Sequence, residues 1–221
     1  MNRLEMYGLG SSGGGIYDEV ELAGLNRITG SIQCQKFETA GVLKCSELIT
    51  AHSLQVGGVA MIGDLIAQNV SVEGVLRSRG YLTCEKLNFE GYLSVNGDVK
   101  VGEADLIGKL KFKGGVQAET LNLMIEAKSI FTDLGATKIS VTRMSDYESL
   151  IERIGKVFQR EQAFMEGHLI EGEDIYLEYC RVQNVYGDHI KIGPHCIIEE
   201  LEYKETLEID PTSVVKHQKQ V

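Results

Sequence analysis

The chain has 221 residues, 43% of them hydrophobic and 24% charged, with a formal net charge of −10. That composition suits a soluble globular chain with a sizeable core, and the acidic balance argues against a surface that binds nucleic acid or attracts anionic lipid. No run approaches the ~18 apolar residues of a membrane span and no signal-peptide core opens the chain; five cysteines without a CxxC pair fit a reducing compartment better than a disulfide scaffold, so the chain reads as cytoplasmic.

Residues 1–15, MNRLEMYGLGSSGGG, are rich in glycine and predict a flexible N-terminal arm. Its apolar residues Leu4, Met6, Tyr7 and Leu9 are the only part of the chain suited to touching a membrane, which would make the protein peripheral to it. GSSGGG lacks the lysine and following helix of a phosphate loop.

From residue 16 to residue 142 the sequence repeats. Coils begin at Gly24, Gly41, Gly57, Gly74, Gly91 and Gly108, with a glycine-less start at Glu126, at intervals of 17, 16, 17, 17, 17 and 18 residues. The ninth position reads Ile32, Ile49, Leu65, Leu82, Val99, Val116, Leu134, and the fourteenth Phe37, Leu54, Val70, Leu87, Ala104, Leu121, Ile139. The eleventh is smaller: Cys34, Ala51, Ala67, Cys84, Val101, Ala118, Ala136.

Apolar residues occupy positions 3, 5, 9, 11, 14 and 16 of each coil, in pairs two apart, which is strand periodicity. Three short strands need three corners. Glycines at positions 1 and 7 supply two, where positive φ or close backbone approach is required; polar pairs at positions 12–13 supply the third. Stacked coils of this kind form an all-β fold, a parallel β-helix or solenoid of about 17 residues per coil, with seven coils rising roughly 34 Å at the strand spacing. The expected hand is right, as for nearly all parallel crossovers. No proline precedes Pro194, in keeping with backbone N–H groups committed to ladders.

Residues 143–168 interrupt the repeat. SDYESLIERIGKVFQREQAFMEG places Tyr147, Leu150, Ile151, Ile154, Val157 and Phe158 on one face of an amphipathic α-helix, continued by Phe164 and Met165, with Ser145 and Glu148 as a capping box. This helix would lie along the rod or join it to a partner. Strand alternation resumes at Asp174, and Ile175/Leu177, Ile190/Ile192 and Leu207/Ile209 predict further irregular coils within 169–212. Residues 213–221 form a frayed tail.

No constellation of catalytic, cofactor-binding or metal-ligating residues emerges. Asp188, His189, His195 and Cys196 come closest, but their spacing matches no zinc pattern. Cys34 and Cys84 share a column three coils apart, roughly 14 Å, too far for a disulfide. Glu199 and Glu200 read as a solvated face.

The physical liability of such a rod lies at its ends, where strand edges lack partners. Ile16, Val20, Leu22, Leu25 and Ile28 near the first coil, with Leu207 and Ile209 near the last, are therefore candidate self-assembly residues. Each end-on contact would form on the order of ten ladder hydrogen bonds at about 1 kcal/mol net apiece.

The repeat from Gly24 to about Val141, of form G-x-[LV]-x-x-x-G-x-[LIV]-x-[CAV]-x-x-[LVIF], resembles the bactofilins, bacterial polymer-forming cytoskeletal proteins built on a right-handed β-helix; DHIKIGPHCIIEELEY resembles the second block of longer relatives from Gram-positive bacteria. The resemblance implies nonpolar, nucleotide-independent filaments that scaffold cell shape, envelope organisation or motility, and partners among other bactofilin-like or envelope and motility proteins. The helix at 143–168 and the C-terminal block depart from the compact family pattern and raise a second reading, a partner-binding β-helix adaptor of limited oligomeric state. A left-handed hexapeptide-type enzyme is less favoured still, since neither six-residue repeats nor interface histidines are visible.

Overall fold

A computed structural model of the chain describes residues 2–144 and 163–221. They form a single parallel sheet wound into a β-solenoid of about twelve turns with about 17 residues per coil. The strands are β1 (Arg3–Ser12), β2 (Gly15–Ile16), β3 (Glu19–Ile28), β4 (Ile32–Cys45), β5 (Ile49–Ile62), β6 (Leu65–Ser78), β7 (Leu82–Val95), β8 (Val99–Phe112), β9 (Gly115–Ile125), β10 (Ser129–Ile130), β11 (Asp133–Arg143), β12 (Met165–Leu177), β13 (Cys180–Ile192), β14 (Ile197–Ile209) and β15 (Val214–Gln220). Most are long strands bent over a corner, each lying on the next coil in parallel register.

The interior follows the column pattern closely. All seven residues of the ninth column and all seven of the fourteenth are buried, as is the eleventh column apart from half-buried Ala118. The sixteenth column, from Thr39 through Val56, Val72, Phe89, Leu106 and Leu123 to Val141, is buried too. Each large aliphatic side chain so enclosed contributes roughly 1.5–3 kcal/mol relative to exposure. Since the next coil offers an equivalent residue at the same place, the core is a set of continuous ladders.

The corners answer to the same logic. The glycine column runs Gly8, Gly24, Gly41, Gly58, Gly74, Gly91, Gly108 in ladder register, all at positive φ. A β-carbon on any of them from Gly24 onward would collide with the carbonyl oxygen of the glycine one coil below. The corner of the fourth coil is thus Gly58 (φ 112) and not Gly57, which faces Ala40; the 16-residue interval falls one coil later than the spacing alone suggests. The third corner lies at position 12, where Gln35, His52, Gln68, Glu85 and their equivalents drop out of the ladder.

Four expectations are revised. Arg3–Ser12, expected as a mobile arm, is β1: Leu4 pairs with Val20 and Met6 with Leu22, and both pack on the core. The glycine-rich segment after it turns a corner, with Tyr17 Oη donating to the Gly14 carbonyl at 3.2 Å. Of the 143–168 helix, residues 145–162, including Tyr147, Leu150, Ile151, Ile154, Val157 and Phe158, lie outside the described residues, but its ends are strand: Arg143 closes β11, and buried Met165 opens β12 nine residues before Asp174. The last revision concerns the tail, where Val214–Gln220 is β15 on β14, not a frayed end. The C-terminal block continues the rod, because β12 pairs with β11 and the ladder Ile139–Ile175–Ile190–Leu207 is unbroken.

Candidate assembly interface

The candidate surfaces are the two ends of the sheet. Among the described residues β1 pairs only with β3, and β15 only with β14, so each terminal strand leaves one row of backbone N–H and C=O groups without a ladder partner. Why chain folds up to those limits is local: Leu4 and Met6 alternate two apart and extend the inward columns of Val20 and Leu22, and Val215 extends that of Ile198.

At the N-terminal end the inward positions are Leu4 and Met6 on the first side, Gly10 and Ser12 on the second, and Gly15 with Tyr17 on the third. Small residues therefore stand at the head of three inward columns in this coil, Gly10 over Asn26, Ser12 over Ile28 and Gly15 over Ile32. Asn26 beneath Gly10 is buried, and its Oδ1 has no hydrogen-bond partner among the described residues, although its Nδ2 donates to the Ala23 carbonyl at 3.1 Å. Tyr7, Leu9 and Ile16 are exposed around this end, at 61%, 84% and 70%. Asn2 ties the start of the coil down through its backbone N–H to the Asp18 carboxylate at 2.6 Å.

At the C-terminal end β15 covers two sides of the last coil, Val214–Val215 and His217–Gln220. The third side of the end face is the last leg of β14, where, among the described residues, Thr206–Ile209 pairs only with β13. Leu207 there is half-buried and Ile209 exposed.

The two ends are in phase. Gln220 belongs to the eleventh column, through Tyr203, Gly187, Gly172 and Ala136, whereas Arg3 belongs to the thirteenth, through Glu19 and Lys36. β15 therefore stops, and β1 starts, on either side of the same corner. A second copy placed head to tail would set Arg3–Met6 against Thr206–Ile209, with Leu4 over Leu207 and Met6 over Ile209 in their own columns.

The sequence-derived candidates divide accordingly. Ile16 is exposed at the N-terminal end, and Leu207 and Ile209 are at the C-terminal end. Val20, Leu22 and Ile28 are each 1% exposed beneath β1, so they belong to the core, and Leu25 (54% exposed) points outward on a side of the rod. The true end residues Leu4 and Met6 were legible: Gly8 stands 16 residues before Gly24, and the register can be run backwards.

The groups closest to a metal cluster are parted. Asp188 pairs with Lys204 at 2.7 Å, His189 Nδ1 lies 3.1 Å from Thr206 Oγ1, and His195 packs on the Tyr179 ring at 4.9 Å. Among the described residues no three His, Cys, Asp or Glu side chains converge on a cation position. Glu199 is ion-paired with Lys216 at 2.8 Å. All five cysteines are free and buried; burial pushes the Cys34 thiol up to about 11 and, with Glu85 nearby, that of Cys84 up to about 12. Among the described residues no helix is long and apolar enough to cross a membrane.

No family model matches the chain, and no solved structure matches it significantly. It is similar to the uncharacterized protein YhbF of Bacillus subtilis (strain 168), 32% identical over 84 residues, or 38% of this chain and 32% of that protein. The match thus spans about a third of the relative's length.

Proposed function

We propose that this is a non-enzymatic structural protein that polymerises through the ends of its solenoid into a filament or scaffold, without nucleotide, metal or other cofactor. The observation that carries the reading is the phase match of two unpartnered edges: a head-to-tail stack continues every inward column with no lateral offset. On the order of ten new ladder hydrogen bonds, at about 1 kcal/mol net each, add to the burial of Leu4, Met6, Leu207 and Ile209. Heterologous contacts that do not close on themselves give open filaments. We take the coil to be right-handed, as parallel crossovers are.

The bactofilin resemblance of the repeat supports the same reading and suggests service in bacterial cell shape, envelope organisation or motility, in the cytoplasm, alongside related polymer-forming or envelope proteins. Head-to-tail stacking gives a polar filament, whereas the resemblance implies a nonpolar one; the corner match favours the polar form.

Negative-stain microscopy and sedimentation of the purified protein test it. We expect filaments in buffer free of nucleotide and metal, abolished by Met6→Glu or Ile209→Glu and retained by Gln55→Glu on an outward position. A stable monomer at high concentration would defeat the proposal and favour an adaptor that binds its partner on a side of the rod. Substitutions at Leu22 or Ile28 are unsuitable, because a charge there would unfold the second coil.

A further inference from the structure

The sides of the rod differ sharply in charge. On the side between the two glycine corners, six successive coils contribute residues 25–29, 42–46, 59–63, 75–79, 92–96 and 109–113, and not one of these thirty residues is Asp or Glu. They carry seven cations on a chain of net charge −10. Arg27, Lys44, Arg77 and Lys111 stand in one outward column, interrupted by Met61 and Ser94. Arg79, Lys109 and Lys113 flank it. A parallel outward column holds Leu25, Val42, Val59, Val75 and Tyr92, with Arg77 and Lys109 over the Tyr92 ring at 5.4 and 5.9 Å.

None of these seven cations has an acidic partner among the described residues, whereas several others on the rod, Lys36, Lys86, Lys191 and Lys204 among them, sit within 2.7–3.1 Å of a carboxylate. A shallow depression of about 250 Å³ opens on the strip between Arg27, Lys44, Met61 and Arg79. Unpaired cations held one or two rungs apart on one face of a sheet repel one another and call for an anionic counterpart.

The same chain carries one. On the next side, towards the C-terminal end, a groove of about 700 Å³ is lined by Glu171, Glu173, Asp188 and Glu202 over Gly172 and Gly187; among the described residues Lys204, paired to Asp188 at 2.7 Å, is the one cation in its lining, and Lys219 lies 4.0 Å from Glu202 at its edge. Glu171 and Glu202 share an outward column with Tyr186 between them. They are two rungs apart, as are Arg77 and Lys111, roughly 9.6 Å in each case. Solenoids of one pitch are commensurate when laid side by side, so cation and carboxylate columns meet rung for rung.

We propose that the basic strip of one copy docks laterally on the acidic groove of a second copy. The two surfaces lie on different sides and in different halves of the rod, so the contact is heterologous and staggered, and it bundles filaments rather than closing a dimer. The inference rests on the self-assembly reading but concerns a different surface. It also reverses the usual salt dependence: bundles held by charge loosen as salt rises, because the Debye length falls from roughly 14 Å near 0.05 M to about 4 Å near 0.5 M.

The test uses two double variants of the full chain, Arg77→Glu/Lys111→Glu on the strip and Glu171→Lys/Glu202→Lys in the groove, each with unchanged circular dichroism. We expect each alone to keep single filaments while the bundled fraction in low-speed pellets falls about tenfold or more, and an equimolar mixture to recover bundling. Bundles unaffected by either variant overturn the inference. So does loss of co-sedimentation of the strip variant with vesicles of equal phosphatidylglycerol and phosphatidylcholine while bundles persist, which would assign the strip to a lipid surface. Should no variant nor the wild type form filaments, the end-stacking reading fails by itself; the strip is then read from sedimentation velocity, where salt-sensitive association of the wild type and its loss in both variants supports it, and equal behaviour of all three refutes it.

Discussion

Gly57 and Gly58 are neighbours in sequence, yet the structure assigns them opposite tolerances. At Gly58 the backbone has φ 112, and an added β-carbon would meet the carbonyl oxygen of Gly41 in the coil below. A side chain in that region of φ/ψ costs about 1–3 kcal/mol, and relief of the collision requires prising two rungs apart, which weakens ladder hydrogen bonds worth about 1 kcal/mol each. Gly58→Ala should therefore destabilise by about 3 kcal/mol, a fall in Tm of roughly 6–12 °C for a chain of this length. At Gly57 the nearest atom to a new β-carbon is the Thr39 carbonyl oxygen at 3.8 Å, an ordinary contact, and φ is not in the left-handed region. Gly57→Ala should be neutral or stabilising by up to about 1 kcal/mol, through the lower entropy of the unfolded chain. Urea unfolding followed by far-UV circular dichroism, at one protein concentration so that any contribution from assembly cancels, separates the two. If Gly57→Ala costs as much as Gly58→Ala, the corner register described above is wrong, and with it the outward assignment of Val59 and Met61.

Two further outcomes follow from buried polar groups in the same coils. Thr39 Oγ1 is buried without a hydrogen-bond partner among the described residues, in a column whose neighbours are Leu22 and Val56, so Thr39→Val should raise stability by about 1 kcal/mol in the same urea titration; a loss of stability would mean that the hydroxyl is satisfied after all. Desolvation raises the Cys34 and Cys84 thiols from 9.0 to about 11 and about 12. In that window the unfolded chain releases protons that the folded chain keeps, so stability is fully present below pH 9 and declines as pH rises towards the folded values. Cys34→Ala/Cys84→Ala should flatten the decline measured by urea titration between about pH 9 and pH 11, and an unchanged slope would place its origin elsewhere.

Most of the fold was legible because a solenoid writes its geometry into the sequence many times over. Seven recurrences of an apolar residue at the ninth and fourteenth positions overdetermine the inward direction, and a one-residue slip would turn each strand inside out. The slip between Gly57 and Gly58 escaped detection because both residues are glycine and the flanking Val59–Ile62 run is apolar at every position, so periodicity could not choose. The structure chooses through packing: only Ala60 and Ile62 fit the buried columns of Leu43/Leu76 and Cys45/Ser78.

The ends were harder to read for a different reason. A terminal coil is stacked on one side only, so its inward positions need not be large or apolar, and Gly10, Ser12 and Gly15 stand at the head of columns that are mostly apolar in the inner coils. Composition then mimics a linker, although the ladder partners Gly8–Gly24 and Leu9–Leu25 keep the spacing of the rod. The charge asymmetry was hidden because net charge averages over the surface, whereas partners sense a field that decays within a Debye length of about 8 Å at physiological salt, less than the distance around a corner of the prism. A net charge of −10 thus predicts mutual repulsion only between rods that meet at random. Rods meeting strip to groove experience the local charges, seven unpaired cations against the carboxylates of Glu171, Glu173 and Glu202, and for that approach the sign of the interaction is the opposite of what the average implies.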